Sequence, residues 1–150
     1  DGTIDLKDGS LNIGDDGQIN GKFNIDMSSI SVSDLQGGGK KSLERHLKNE
    51  DFFDVNNFPI ATLEFSSRTE NIIKNKLSLA SELTVKNITN PLKFSAQIIE
   101  ASPQLKIKAD IVFDRSIYDV RYGSGKFFES LGDMLILHEV QIGAILLFNL

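Results

Sequence analysis

Ser42–Phe65, SLERHLKNEDFFDVNNFPIATLEF, decides how the rest of the chain is read. Leu43 and Leu47 are four residues apart and share one helix face, while Glu44, Arg45 and Lys48 point elsewhere. Ser42 is a candidate N-cap, and Asn49 and Asp51 stop the helix after Lys48. Phe52, Phe53, Val55 and Phe58 follow as an aromatic-rich elbow. Pro59 forbids helix and pushes Phe58 into extended geometry. Ala61, Leu63 and Phe65 then alternate with Thr62, Glu64 and Ser66, the period of a half-buried strand. The spacing predicts a short helix and elbow over residues 40–58 that feeds a strand. Two readings of it stand: a plug at one end of a packed core, or an apolar lid over a ligand cavity.

Outside that stretch the chain reads as strands and turns. Thr3–Leu6 and Ser10–Ile13 alternate on either side of Asp8-Gly9, a tight-turn pair. Asp16-Gly17 marks the next turn. Ile19, Gly21, Phe23, Ile25 and Met27 then share one face, and Gln18, Asn20, Lys22, Asn24 and Asp26 share the other. Ile30 and Val32 continue or restart that strand, which ends near Asp34. Gly37-Gly38-Gly39 reads as a flexible break before the helix. Lys40 and Lys41 follow it without the spacing of a phosphate loop.

After Phe65 a polar turn near Arg68–Asn71 leads to Lys76–Val85, with Leu77, Leu79, Leu83 and Val85 on one face. Lys86-Asn87 is a two-residue hairpin candidate, since Asn tolerates positive φ. Leu92, Phe94, Ala96 and Ile98 return. Ala101–Pro103 turns, and Leu105, Ile107, Ala109, Ile111 and Phe113 give the clearest alternation. Asp114–Gly125 reads as a polar loop carrying Arg115 and Arg121 near a barrel rim. Phe127, Phe128 and Leu131 read as a short turn of apolar cover. Asp133–Leu150 holds two strands or one long bent strand. Val140, Ile142, Ala144, Leu146 and Phe148 share its dry face, while Ile145 and Leu147 lie opposite. Those two need a cover, for which the helix and a partner subunit are the candidates.

Roughly seven or eight short strands joined by Gly, Asn and Asp turns predict an all-β barrel or sandwich. A closed barrel turns the dry faces inward and removes exposed edges. The inward set mixes Phe23, Phe65, Phe94, Phe113 and Phe148 with Ala61, Ala96, Ala109 and Ala144. Such a mixture either interdigitates into a solid core or leaves a tunnel with alanine on one side and phenylalanine on the other. A transmembrane barrel shows the same alternation with its faces reversed. It needs aromatic girdles, and this chain has no Trp and 2 Tyr. No apolar run reaches the roughly 18 residues of a membrane helix.

One hundred and fifty residues make one domain. A net charge of −5 and a pI near 5.0 argue against a general nucleic-acid binder. With no cysteine, disulfides, thiolate chemistry and cysteine metal sites are excluded. His46 and His138 are the 2 histidines, so a histidine metal site requires that they meet in space. His46 reads as a solvated helix residue, with a lid contact as the alternative. His138, beside Glu139, reads as half of a cross-strand polar pair. No carboxylate pair, nucleophile elbow or calcium loop stands out. The expectation is a protein that is not an enzyme and needs no cofactor. Arg115 and Arg121, with Asp114, are either a contact for an anion or lipid headgroup or structural arginines paired with Asp114 or Asp119.

Three blocks resemble the YceI-like family. HLKNEDFFDVNNFPIATLEF matches its helix, D-F-F-D, aromatic-Pro and strand signature. ELTVKNITNPLKF at Glu82–Phe94 is similar to its hairpin, with Asn87 where a glycine is usual. FDRSIYDVRYG at Phe113–Gly123 is similar to its Asp-Arg strand-to-loop block. The blocks span most of the chain, from about Gly9 onward. The resemblance implies a lipocalin-like antiparallel β-barrel that holds a long apolar molecule, often a polyisoprenoid, in its lumen. It also implies a periplasmic or secreted protein. The family pattern has a further strand or two before the position of Gly2. Here the chain begins DGTIDL without Met, as a mature form or excised fragment does. The expectation is a barrel over residues 1–150 lacking an N-terminal strand or two.

The expected function is non-catalytic lipid binding, for transport or storage. The expected lining is Phe23, Phe65, Phe94, Phe113, Ile142 and Leu146 from the strands with Phe52, Phe53 and Phe58 from the elbow. Arg115 and Arg121 are the headgroup candidates. The alternative is a solid-core structural or interaction barrel acting as a homodimer through Ile145 and Leu147.

Overall fold

A computed structural model of the protein describes residues 1–123 and 136–149. Alternation of apolar and polar residues makes strands here, and the strands form one antiparallel sheet curled into a half-barrel. The elements in chain order are β1 (Gly2–Ile13), β2 (Gln18–Val32), α1 (Gly37–Lys48), β3 (Ile60–Arg68), β4 (Ile72–Ile73), β5 (Lys76–Val85), β6 (Ile88–Glu100), β7 (Gln104–Asp114) and β8 (Glu139–Asn149). Short 3₁₀ turns lie at Thr69–Asn71 and Arg115–Tyr118. The ladder runs β1-β2-β3-β5-β6-β7-β8, with β4 paired to β5. Its ends, β1 and β8, are not paired to each other among the described residues.

The expected dry faces are the buried ones. Ile19, Phe23 and Met27 of β2, Leu77, Leu79, Leu83 and Val85 of β5, and Leu105, Ala109, Ile111 and Phe113 of β7 are all buried. The charged residues between them face outward. The apolar sides therefore line the inside of the curl, the reverse of a lipid-facing barrel. Lys86 and Asn87 make the predicted hairpin, with φ of 51° and 60°. Lys74 and Asn75 repeat that turn between β4 and β5, with φ of 51° and 61°.

Four local expectations are corrected. Asp8-Gly9 does not turn: β1 is one strand, and Gly9 pairs with Phe23 of β2. The ring of Phe23 lies where a side chain at position 9 would be, so cross-strand packing overrides the turn preference. By contrast, Ile30 and Val32 continue the strand of Ile19, the first of the two readings, in one 15-residue strand. The three glycines do not precede the helix; they form its first turn. Gly37 has a φ of +59°, and Gln36, not Ser42, is the N-cap. This helix is stabilised by its attachment to the sheet, since glycine is a poor helix former. The Glu44 carboxylate accepts hydrogen bonds from the Val32 amide (2.9 Å) and the Ser31 hydroxyl (3.1 Å). Finally, Asp114–Tyr118 is not an open loop. The Asp114 carboxylate caps a 3₁₀ turn by accepting from the Ser116 amide (2.8 Å) and hydroxyl (2.6 Å).

Within Asp133–Leu150 the described part holds one strand, β8. The apolar cover expected from Phe127, Phe128 and Leu131 lies outside the described residues. α1 packs on β2, so it does not cover Ile145 and Leu147. These remain 63% and 61% exposed.

Candidate ligand cavity

The curl of the sheet and the underside of α1 enclose a cavity of about 830 Å³. Ligand sites typically measure about 300–1,000 Å³, so this one lies at the large end. The register explains why the space is there. Ala96 of β6 pairs with Ala109 of β7, and Ala109 pairs with Ala144 of β8. Three adjacent strands thus present methyl groups at one level, which leaves a trough in that wall. Aromatic rings share the lumen with it, among them Phe23 from β2, Phe65 from β3, Phe94 from β6 and Phe148 from β8. Phe23 and Phe65 stack with centroids 5.7 Å apart, and Phe65 meets Phe94 edge to face at 6.1 Å. Phe148 approaches Phe23 from β8 at 6.3 Å.

Of the residues expected to line a lumen, Phe23, Phe53, Phe65, Phe94, Phe113, Ile142 and Leu146 do so. Leu43 and Leu47, the helix pair, lie on the same cavity. Phe52 and Phe58 do not line it. Phe52 is buried beneath the elbow, edge-on to Phe53 at 4.9 Å and to His46 at 5.9 Å. Phe58 is half-buried outside the lining, and its amide donates to the Asp54 carbonyl. The sequence reading did not name the β1 contribution, Ile4, Leu6, Leu11 and Ile13. Its signal was the alternation of Ile4 and Leu6, broken by the assumed turn at Gly9.

The two arginines are elsewhere. Arg115 is 1% exposed. Its guanidinium donates to the carbonyls of Val120 (2.7 Å), Leu137 (3.0 Å) and Ile136 (3.1 Å). Its own amide donates to the His138 carbonyl (2.8 Å). Burial pulls its pKa below the ordinary arginine value, partly offset by the nearby Asp114 carboxylate. This is an arginine that ties the turn after β7 to the residues leading into β8. Arg121 pairs through Nε with Asp119 Oδ1 at 2.5 Å, beside a small surface cleft that Glu50, Asp51, Lys86 and Tyr122 share. Neither lines the main cavity.

The histidines also differ from expectation. His46 is half-buried, T-stacked on Tyr122 at 4.2 Å, and its Nε2 is buried without a hydrogen-bond partner. His138 precedes β8 rather than lying within it, and its Nε2 is likewise buried without a hydrogen-bond partner. Among the described residues no cluster of three or more His, Asp or Glu is placed to hold a metal. No described helix is long and apolar enough to cross a membrane.

The sequence profile of the YceI-like domain matches residues 1–146. Solved structures share the fold. Burkholderia cenocepacia BcnA is similar with a TM-score of 0.73 and 19% identity over 93% of this chain and 82% of its own. A Campylobacter jejuni YceI protein is similar with a TM-score of 0.71 and 16% identity, covering 98% and 84%. A mutant of the Campylobacter protein, solved with a monobromobimane guest, scores 0.71 at 14% identity over the same shares. No curated protein matches the chain.

Proposed function

The chain belongs to the YceI-like family, and from that premise we propose that it is a non-catalytic carrier of a long-chain amphiphilic lipid such as a polyisoprenoid. The lipid is held in the lumen for transport or storage, with no cofactor besides it. The observation that carries this reading is the 830 Å³ apolar cavity, with an alanine trough across β6, β7 and β8 and aromatic rings in its lining. A long, slender, apolar chain suits such a space. Each buried methylene contributes about 0.8 kcal/mol, so a modest length of chain supplies affinity without charged contacts. Placement in the periplasm or outside the cell is part of the proposal and rests on the family. The alternative of a solid-core barrel is disfavoured by the size of the cavity.

The test is a thermal titration with isoprenoid alcohols of increasing length. A ligand that binds only the folded protein at about a hundred times its Kd stabilises by about 2.7 kcal/mol, which is several degrees in Tm at this chain length. The expected result is a Tm that rises with isoprenoid length and then levels off once the cavity is filled. A Tm unmoved at every length would overturn the proposal.

A further inference from the structure

Four rings form a row inside the cavity. Phe94 meets Phe65, Phe65 stacks on Phe23 with the ring planes 30° apart, and Phe23 approaches Phe148. The row stands between two separate groups of buried residues. On β5 the division falls at Ser81, with Leu77 and Leu79 in one group and Leu83 and Val85 in the other. On β2 it falls between Ile19 and Met27, where Gly21 and Phe23 lie. Leu77 to Val85 is roughly 26 Å of strand, and both ends of it line the one cavity. A chain that fills the cavity must therefore pass the rings.

Two glycines keep that passage clear, although neither lines the cavity. Gly9 of β1 pairs with Phe23, and Gly21 of β2 pairs with Phe65. Each ring lies back over the neighbouring strand, in the space that a Cβ on its paired glycine would take. A Cβ at position 9 would be 2.7 Å from Phe23 Cε1, and one at position 21 would be 2.8 Å from Phe65 Cε2. Neither glycine has a positive φ. The backbone therefore does not require glycine at either place, and within a strand alanine is the more stable residue. What the glycines supply is room for a ring. A ring laid against the wall leaves the bore beside it free, and the same ring turned inward fills it. We propose that Gly9 and Gly21 are specificity-determining residues of the carrier. By seating the Phe23 and Phe65 rings against the wall, they admit isoprenoids long enough to occupy both ends of the cavity. This rests on the lipid-carrier reading.

The test measures uptake by the full chain of tritiated farnesol, a short isoprenoid alcohol, and solanesol, a long one, each offered as a cyclodextrin complex. The variants are Gly9→Ala, Gly21→Ala and the double variant Gly21→Ala with Phe65→Leu. The wild type is expected to take both alcohols. Each single variant should lose about tenfold or more in affinity for solanesol, the effect of about two methylenes left unburied, and less than about threefold for farnesol. The double variant should recover solanesol. The Phe65 atoms in the way of a Cβ at position 21 are Cζ and the two Cε, and leucine lacks them. If one glycine variant fails to fold, the other still reads the ratio, because it acts through a different ring. A lowered Tm with an unchanged ratio of the two affinities would overturn the proposal, since the glycines would then serve strand packing alone. A wild type that takes farnesol and refuses solanesol would overturn it too. The carrier reading survives both of those results. A wild type that takes neither alcohol would overturn the carrier reading, and the proposal with it.

Discussion

The guanidinium carbon of Arg115 sits 5.0 Å from the centroid of the Phe52 ring. Through this contact the turn after β7 is fastened to the elbow after α1. The guanidinium edge is used by the carbonyls of Val120, Ile136 and Leu137, and its face by the ring.

Arg115→Lys is therefore expected to destabilise the fold strongly. An ammonium cannot reproduce the fork, and each buried carbonyl left unsatisfied costs about 1–3 kcal/mol. Urea unfolding should show a loss of about 3 kcal/mol or more. Were Arg115 a headgroup contact instead, the variant would keep its stability and lose only lipid affinity.

Gly21 and Phe65 are directly paired between β2 and β3. A Cβ at position 21 would lie against the Phe65 ring, 2.8 Å from its Cε2. In Gly21→Ala the ring must swing into the cavity. The expected cost is about 1–3 kcal/mol, with a shortened range of accepted isoprenoids. Gly38→Ala is the contrasting case. Nothing lies within 4 Å of its added methyl, so the gain in helix propensity should stabilise the protein by about 0.5–1 kcal/mol. Thermal melts of the two variants should move in opposite directions.

Ala109 stands at the centre of the alanine trough. In a packed core, Ala109→Leu would cost about 1–3 kcal/mol from overpacking. In an open cavity the added carbons fill space, and stability should hold or rise by about 0.5–2 kcal/mol. Isoprenoid binding should weaken in the same variant. Melting with and without ligand separates the two cases.

Glu44 gives a pH dependence with a definite sign. The Val32 amide is the largest influence on its pKa; burial, the next largest, opposes it, and the Ser31 hydroxyl with Lys40 and Lys48 leaves the pKa below the ordinary glutamate value. A carboxyl lowered on folding stabilises the fold above its unfolded pKa of about 4.3 and loses that contribution as pH falls through the folded value. Hydrogen exchange of the α1 amides should therefore be slower in wild type than in Glu44→Ala at pH 6. The difference should vanish well below pH 4, after correction for intrinsic rates.

The strands were legible because a period of two is written directly in Leu77–Val85 and Leu105–Phe113. The alanine trough was half legible. The small residues were visible, but their alignment across β6, β7 and β8 depends on register, which alternation alone does not specify. Gly9 and Gly37–Gly39 misled because their local preferences are outvoted by contacts distant in sequence: the Phe23 ring in one case and the Glu44 attachment in the other. Arg115 was hardest to place. An arginine in a polar segment gives no sign that backbone carbonyls from residues 136 and 137 will surround it.

The most direct test of the central claim is mass spectrometry of an organic extract of the purified protein, against a protein-free preparation from the same host. The account predicts an apolar, chain-like lipid in roughly one-to-one ratio, depleted in Ala109→Leu. An extract matching the control, from a protein whose Tm no isoprenoid raises, would contradict it.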